Sequence, residues 1–477
     1  MSGKFRTANY EEVLNVDIKI SEVLPPEHLA RFVVDTMGQL DLRPIYQRYS
    51  AEGGEAIAPE ALLGLLFYGY ATGVFSSRRL EKGTYENIPM RYVAGGLHPD
   101  HDTIAHFRQT FLVEIQELFV QILQMAEAVG VLQLGNLSID GSGERNHIGS
   151  KIHADASKSK AVSYKRLLEI QSQLRREVQE LIELGEQADQ KEVLLPIELD
   201  IPDELAIRQE RLTKLAEAKR VIEERAKERF EAEQAEYQAK LKERDDKGRK
   251  RQSGRILSYH QKPRGPKPQP PEGGPHDGDQ FNFTDPESRV MKNSTNKGVD
   301  QHYNVQVAVD QETLLIVAPA LSNHPNDKQE AEPTLNAISP KLGKPKAAAL
   351  DNGYFSAANI QALEDRKVDP YIATGRELHH KDWRTFFKEQ PEPPAENASP
   401  KVKMAYKLQT EIGQAIYRLR KCTVEPVIGL IKEVLGFRQF SLRGLKATTG
   451  EWCLVCLAFN LKRMHALYLE RGLLQRA

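Results

Sequence analysis

The sequence predicts an all-α N-terminal region followed by an α/β domain that a long helical insertion interrupts. Three observations indicate this fold class. Apolar residues recur at three- and four-residue steps up to about residue 130, short apolar runs ending in an acid occur further along the chain, and two long charged segments lie between those runs. At 477 residues the chain exceeds one ordinary core, so we expect two or three domains.

The N-terminal region, residues 1 to about 130, reads as a series of helices. Residues 59–73 have a broad apolar face, and Gly73 can end that helix before Ser76 or Ser77 caps the next one. Residues 98–130 predict a single long helix with one apolar face. This face consists of Phe107, Phe111, Ile115, Phe119 and Ile122.

Two short helices before a longer one are typical of a helix-turn-helix DNA-binding unit. The alternative is a helical bundle used only for packing or dimerisation. If the region binds DNA, the candidate contacts are Arg78, Arg79 and Arg108.

A short apolar run, residues 137–140, predicts a buried strand that ends in Asp140. The sequence after it becomes highly charged. Residues 164–184 and 202–243 are charged segments with apolar residues at helical spacing, and the prolines between them break a continuous helix. We predict an antiparallel helical hairpin inserted after the first strand. Such a pair is typical of a solvated arm, with direct DNA contact as the alternative. A Pro/Gly-rich linker, residues 261–279, follows.

Strand patterns return after residue 303. The predicted strands are residues 303–310, 314–321, 346–351 and 369–374, with a helix over 326–339 and a loop over 390–400. The third of these strands ends in Asp351.

Three acids from separate elements suggest metal-dependent phosphodiester chemistry. Asp140 and Asp351 end predicted strands, and Glu425 lies in a helix. Helical spacing places Lys421 and Lys432 near the same face as Glu425, where they could contact a phosphate backbone. Pro426, however, predicts that a helix starts or bends directly after Glu425. Carboxylates are the ligands that Mg²⁺ prefers, and two such ions can serve both ends of an in-line displacement.

Several motifs, in order, resemble the DDE transposases of bacterial insertion sequences. The N-terminal stretch 59–81 resembles the helical domain of that family. The others are TDPESRVMK (284–292), YNVQVAVD (303–310), HPNDKQEAEP (324–333), LDNGYFS (350–356), TVEPVIG (423–429), GFRQFSLRGL (436–445) and GEWCLVCLAFNL (450–461).

This resemblance implies a ribonuclease H-like catalytic domain over residues 131–477, interrupted by the hairpin and linker over 161–280, with a DNA-binding domain over 1–130. It implies the triad Asp140, Asp351 and Glu425, holding Mg²⁺ or Mn²⁺. The expected function is binding of terminal inverted repeats, cleavage of the DNA ends, and transfer of the 3′-hydroxyl strands to target DNA. Joining two ends calls for at least a homodimer on DNA. Inactive copies that only bind DNA, and nucleases that cut without joining, are the alternatives.

Two positions depart from the family pattern. About eight extra residues separate the IDG triplet from residues 151–158, so Asp155 and Glu144 are fallback candidates for the first acid. The family's tyrosine and arginine would fall at positions 418 and 421, one residue after Tyr417 and Arg420, so only Lys432 is assigned by resemblance, as a phosphate contact.

Composition sets further limits. No apolar run suits a membrane span or a signal peptide, so we expect a cytoplasmic bacterial protein, associated with the nucleoid when bound to DNA.

Net charge is −1, yet residues 401–477 hold 14 Lys and Arg against five Glu, and residues 247–255 form a second basic cluster. Cys453 and Cys456 lie in an apolar helix and predict packed thiols rather than a zinc site, and Trp452 beside them is predicted to be core.

Overall fold

The computed structural model describes residues 19–49, 56–140, 151–191, 200–252, 268–292, 298–325, 327–375 and 392–473. The chain divides into two compact units. The core unit comprises residues 1–154 and 291–477, and the inserted unit comprises residues 155–290, wider at both ends than the predicted 161–280.

The N-terminal part of the core unit is helical, as predicted. Its helices are α1 Ile20–Val23, α2 Leu29–Met37, α3 Arg43–Tyr46, α4 Pro59–Ala71, α5 Ser77–Glu86, α6 Ile88–Val93, α7 His101–Thr110 and α8 Leu112–Ala128. Gly73, just after α4, has φ +82°, and a Cβ there would lie 2.7 Å from the Leu435 carbonyl oxygen. Only glycine suits both this conformation and this close approach.

The predicted single helix over 98–130 was wrong, because α7 and α8 are separate. The break is at Phe111, whose φ and ψ are −107° and 26°. Its ring is buried, stacks on Tyr49 at 5.9 Å and lies under the Arg48 guanidinium. These contacts favour the non-helical conformation. The five predicted apolar positions are nevertheless all buried.

A mixed sheet follows in the core unit. Its strands are β1 Asn136–Asp140, β2 Lys151–His153, β5 Arg289–Lys292, β6 Val299–Asp310, β7 Ile316–Ser322, β8 Ala347–Leu350 and β9 Asp369–Ile372. The central strand order is β7, β6, β1, β8, β9, with β6 antiparallel to both neighbours and with β1, β8 and β9 mutually parallel. Apart from β2 and β5, which no apolar run indicated, these are the predicted strands, with β6 longer than expected.

β1 and β2 pair with the same strand, one after the other. Asp140 lies opposite Val307, and Lys151 lies opposite Asn304. Two residues of β6 separate those partners, whereas ten residues separate Asp140 from Lys151. The excess of eight matches the insertion expected from sequence. Residues 141–150, which include the fallback Glu144, lie outside the described residues.

The C-terminal half of the core unit supplies the remaining helices. They are α11 Ala331–Asn336, α12 Ala357–Asp365, α13 Pro400–Lys407, α14 Glu411–Gly429 and α15 Leu445–Glu470. Pro426 lies inside α14, which begins fifteen residues earlier, and a π-helical turn, Leu430–Val434, follows.

Helix α15 forms the centre of the core unit. It packs against α4 and α8 on the helical side and against β7 on the sheet side. Trp452, Cys453 and Cys456 are buried within it, as predicted, and burial raises the pKa of both thiols. The helical region and the sheet therefore share one core. No helix of the described part of the chain is both long and apolar enough to cross a membrane.

The inserted unit is an antiparallel helical hairpin beside a two-stranded sheet. Its elements are β3 Ala161–Ser163, α9 Tyr164–Lys191, α10 Ile201–Gln252 and β4 Gln280–Asn282. Leu167 and Leu174 of α9 pack against Leu215, Ala218 and Ile222 of α10. Because α9 residues further along the chain contact earlier residues of α10, the predicted antiparallel hairpin is confirmed.

Candidate active site at the carboxyl edge of the sheet

Two aspartates lie side by side at one edge of the sheet. Ile139 of β1 is opposite Leu350 of the parallel strand β8, and the next residue in the chain after each is an aspartate, Asp140 and Asp351. Neighbouring strands are about 4.8 Å apart, so the two residues occupy adjacent positions. Asp140 is buried and Asp351 is partly exposed. We call this pair the acidic edge.

Arg420 of α14 connects the two aspartates. Its Nη1 donates a hydrogen bond to Asp140 Oδ2, and its Nη2 lies 3.5 Å from Asp351 Oδ1. Burial disfavours the charged guanidinium, but the charge of Asp140 and then those of Tyr417 and Asp351 outweigh burial and raise the pKa of Arg420. The acidic edge is therefore matched by a permanently charged cation.

Helix α14 brings Arg420 to this position because it packs on the sheet. The half-buried Ile416 and Tyr417 lie against a small cluster that contains Ala347 and Ala349 of β8. In addition, Gln311 donates hydrogen bonds to the Ile416 carbonyl and to Ser138 Oγ, both at 3.0 Å. These contacts join the helix to β1 and β8 just before the acidic edge.

Glu425, the third predicted acid, lies on the same helix five residues after Arg420 and is partly buried. In the described part of the chain, no group of three or more His, Cys, Asp or Glu side chains is arranged to hold a metal ion. The structure thus brings Asp140 and Asp351 together and places Glu425 on the helix that contacts them, without assembling a three-acid cluster.

A buried polar network supports the turn that follows β8. Tyr354 is fully buried, and its hydroxyl donates to the Gln306 side-chain oxygen. Gln306 and Asn304 then donate to the same oxygen of Asp327, at 2.7 and 2.8 Å. Burial raises the pKa of Tyr354, as do the charges of Asp327 and Asp140. The phenol is therefore a hydrogen-bond donor, not a phenolate.

This network fixes the backbone beside Asp351. The Tyr354 amide donates to the Asp351 carbonyl at 3.1 Å, closing a tight turn over Asn352–Tyr354. Since Tyr354 is anchored to Gln306 of β6, the turn is held against the sheet. We call Tyr354, Gln306, Asn304 and Asp327 the anchoring network.

The two predicted lysines differ in exposure. Lys421 is exposed. Lys432 is buried, its Nζ donates to the Lys151 carbonyl at 3.1 Å, and burial lowers its pKa. The structure therefore places Lys432 inside the core unit, where it links the π-helical turn after α14 to β2, rather than on the surface where a phosphate would contact it.

Among the predicted arginines, Arg78 and Arg79 are exposed in the first turn of α5. Arg108 is buried and donates to the Tyr70 hydroxyl at 2.8 Å and to the Phe75 carbonyl. Burial raises the pKa of Glu451 in α15, and the charge of Arg108 opposes that shift. Arg108 therefore lies inside the core unit, where it compensates a buried acid.

Sequence reasoning missed the contribution of Arg420. Counted from Glu425, the family spacing puts Tyr417 and Arg420 one residue out of register. Their spacing from each other is three residues, the same as in the family pattern, and Arg420 lies over the Tyr417 ring at 5.6 Å. Counting this pair as a unit would have identified Arg420. The anchoring network had no comparable signal, because its members come from three separate motifs.

The acidic edge fits a divalent metal ion in its donor chemistry. Two hard carboxylates lie at adjacent positions, and Mg²⁺ usually takes only one or two protein carboxylates. Arg420 already lies against both acids, so a bound metal ion would share their carboxylate oxygens with its guanidinium. The fallback Asp155 is partly exposed and belongs to the inserted unit.

Comparison with known families gives two matches. The family model described as "Transposase DDE domain" matches residues 268–461, and the model described as "Transposase domain (DUF772)" matches residues 18–110. The first range includes Asp351, Arg420 and Glu425, whereas Asp140 lies outside both ranges. No curated protein and no solved structure shows significant similarity to the chain.

Proposed function

The chain belongs to the DDE transposases, metal-dependent enzymes that cut and join DNA, and on that premise we propose that it mobilises an insertion sequence. It binds the terminal inverted repeats, cleaves the DNA ends, and transfers the 3′-hydroxyl strands to target DNA with two Mg²⁺ or Mn²⁺ ions. The observation that supports this proposal best is the acidic edge: two adjacent strand-end aspartates matched by Arg420 from the helix that also contains Glu425.

The sheet supports a ribonuclease H-like catalytic domain. The order β7, β6, β1, β8, β9, with β6 antiparallel, is followed by a final helix that bears an acid. The first strand ends in Asp140, and the fourth in the central order ends before Asp351. The inserted unit follows β2, one strand later than the insertion directly after the first strand that the sequence predicted. The helical region 1–130, with Arg78 and Arg79 on its surface, is the proposed DNA-binding domain.

Each residue of the site has a proposed role. Asp140 and Asp351 would hold the metal ions, with Glu425 as the third acid. Bound divalent ions activate the attacking oxygen and stabilise the charge on the leaving oxygen. Arg420 contacts both aspartates and holds them adjacent, and its fork of donors can also bind a phosphate oxygen. The anchoring network holds the turn after Asp351 so that this carboxylate keeps its position.

The reaction has two steps without a covalent enzyme intermediate. Water attacks the phosphorus at the end of the element, the P–O3′ bond breaks, and the element keeps a 3′-hydroxyl while the flank keeps a 5′-phosphate. That hydroxyl then attacks a phosphorus of target DNA, where a second P–O3′ bond breaks. Two ends must be present together, so a homodimer on DNA is part of the proposal.

The test is a cleavage and joining assay with the full chain, Mg²⁺ and DNA that carries the flanking inverted repeats. Asp140→Asn, Asp351→Asn and Glu425→Gln should each abolish both steps while DNA binding is retained. Glu411→Gln is the matched control, since Glu411 is an exposed acid at the start of the same helix.

Three outcomes would change the assignment. Binding without cutting by the wild type indicates a copy that only binds DNA. Cutting without joining indicates a nuclease. Activity retained by Asp140→Asn alone would exclude Asp140 as the first acid and direct the same assay to Asp155 and Glu144.

A further inference from the structure

The inserted unit contains a cavity with an unusual distribution of charge. Its volume is about 640 Å³, and it lies where α9 and α10 meet β3 and the residues after β4. Four cations line it, namely Lys160, Arg166, Arg211 and Lys214, and no acid of the described chain does so. We call it the hairpin cavity.

Several cations elsewhere on the hairpin have acidic partners within one turn of helix. Arg220, for example, lies 3.0 Å from Glu217 and 3.4 Å from Glu224. In the hairpin cavity, Arg166 and Lys214 pair with glutamates outside its lining, whereas Lys160 and Arg211 form no ion pair within the described residues. The lining of the cavity therefore brings two cations without an ion pair together with two that have one, and no acid of the described chain lines the same space.

The floor of the hairpin cavity is the hydrophobic core of the inserted unit. Val162 and Leu215 line it and also belong to the buried cluster between the helices. Phe283 lines it as well, and its amide donates to the Lys160 carbonyl at 3.1 Å. The backbone positions of the cations are thus set by packed residues and hydrogen bonds rather than by a loose surface loop.

The strand beside the cavity is also held in place by an ion pair and a hydrogen bond to its backbone. Both outer guanidinium nitrogens of Arg229 contact the Asp279 carboxylate, at 2.8 and 3.0 Å, and Arg225 donates to the Gln280 carbonyl. A site whose frame is fixed before binding loses less entropy when a ligand arrives.

We propose that the hairpin cavity is a DNA-binding site, separate from the acidic edge, at which Lys160, Arg166, Arg211 and Lys214 contact backbone phosphates. The inference rests on the proposed function, because DNA is the polyanion that such an enzyme must hold along more than its scissile bond. Lysine and arginine contacts of this kind position a protein on DNA without reading its sequence. The hairpin is then a DNA-holding arm and not only a solvated one.

The experiment compares two double variants of the full chain in binding to the duplex used in the joining assay. Lys160→Ala/Arg211→Ala removes two cations of the cavity. Arg220→Ala/Lys227→Ala removes one arginine and one lysine that pair with acids elsewhere on α10. Both variants lose the same net charge. A difference in their DNA binding is therefore due to where the cations lie and not to the overall charge.

The readout is the slope of log binding constant against log salt concentration. Each phosphate contact contributes about 0.9 to that slope, so the cavity variant should have a slope shallower by about 2, and the control should match the wild type. Lys160→Arg/Arg211→Lys keeps the charges and should restore the slope, which excludes misfolding as the cause.

Equal slopes for the two alanine variants would overturn the cavity site. If the wild type still joins DNA in that case, the proposed function stands and only this inference fails. A wild type that neither binds nor joins DNA overturns both.

Discussion

Arg420 at the acidic edge and Arg220 on the hairpin each face two carboxylates, but in opposite surroundings. The Arg420 side chain is 6% exposed and bridges aspartates from two strands, whereas the Arg220 side chain is 62% exposed and pairs with glutamates of its own helix. A buried charge has lost its hydration and depends on its partner, while an exposed charge keeps its hydration and is screened by salt. The same residue type therefore has very different consequences in the two units.

The largest effect is expected for Arg420→Ala. It leaves Asp140 buried without its cation, and breaking a buried pair in this way costs about 3–5 kcal/mol of unfolding free energy. Denaturant unfolding of the variant beside the wild type measures this. Arg420→Lys, which keeps the charge but not the fork of donors, should lose less. A loss below about 1 kcal/mol for the alanine variant would mean that the pair is solvated, in the range of surface pairs.

His302 provides a pH-dependent test of buried charge in the sheet. Burial is the main cause that lowers the pKa of His302 from 6.5 to about 4. Between those values the unfolded chain binds a proton that the folded chain does not, so stability falls as the pH falls from about 6.5 to about 4. The full effect is about 3 kcal/mol.

His302→Gln should remove that part of the pH dependence, as measured by unfolding midpoints across this range. His106→Gln, at an exposed histidine of α7, is the matched control and should leave the dependence of the unfolding midpoint on pH unchanged. An unaltered curve for His302→Gln would show that other groups cause the acid sensitivity.

A smaller effect is expected for Tyr354→Phe in the anchoring network. The change leaves the buried Gln306 oxygen without its donor, which costs about 1–3 kcal/mol. Because the turn beside Asp351 loses its anchor, joining activity should fall further than the loss of folded protein explains, with DNA binding retained. Tyr85→Phe, at a Tyr that is 62% exposed, should change neither quantity. If activity tracks folded protein only, Tyr354 does not position the site.

The smallest effect is expected for Arg220→Ala, which should leave the denaturation midpoint of the inserted unit unchanged within error. Exposed ion pairs within one helix contribute little, and they contribute less at high salt. A clear loss of stability at both low and high salt would show that the hairpin depends on these pairs and would remove the contrast with Arg420.

Local patterns in the sequence predicted most of the elements. Apolar runs identified β1, β6, β7, β8 and β9, and charged periodic segments identified the antiparallel hairpin. The wrong predictions have their cause in tertiary contacts, which local sequence patterns do not contain. The break at Phe111 comes from ring contacts with distant residues, and the burial of Arg108 and Lys432 comes from packing against α15 and β2.

The residues of the candidate site also fall into two groups, those that local patterns predict and those that depend on tertiary packing. Asp140 and Asp351 could be placed at strand ends, because a strand pattern ending in an acid is local. Their shared contact with Arg420 depends on how α14 lies on the sheet, and helix spacing alone does not determine that orientation. The anchoring network likewise depends on β6 and the turn after β8 meeting in the fold.

The position of α15 in the chain has a consequence for synthesis on the ribosome. Helices α4 and α8 and strand β7 all pack against it, yet roughly 340 residues are added after α8 ends at Ala128 and before α15 ends at Glu470. At about 5–20 residues per second this takes roughly 20 to 70 s. During that time the apolar faces of α4 and α8 lack the helix that covers them. We therefore expect the nascent chain to bind chaperones that prevent aggregation until α15 has been synthesised.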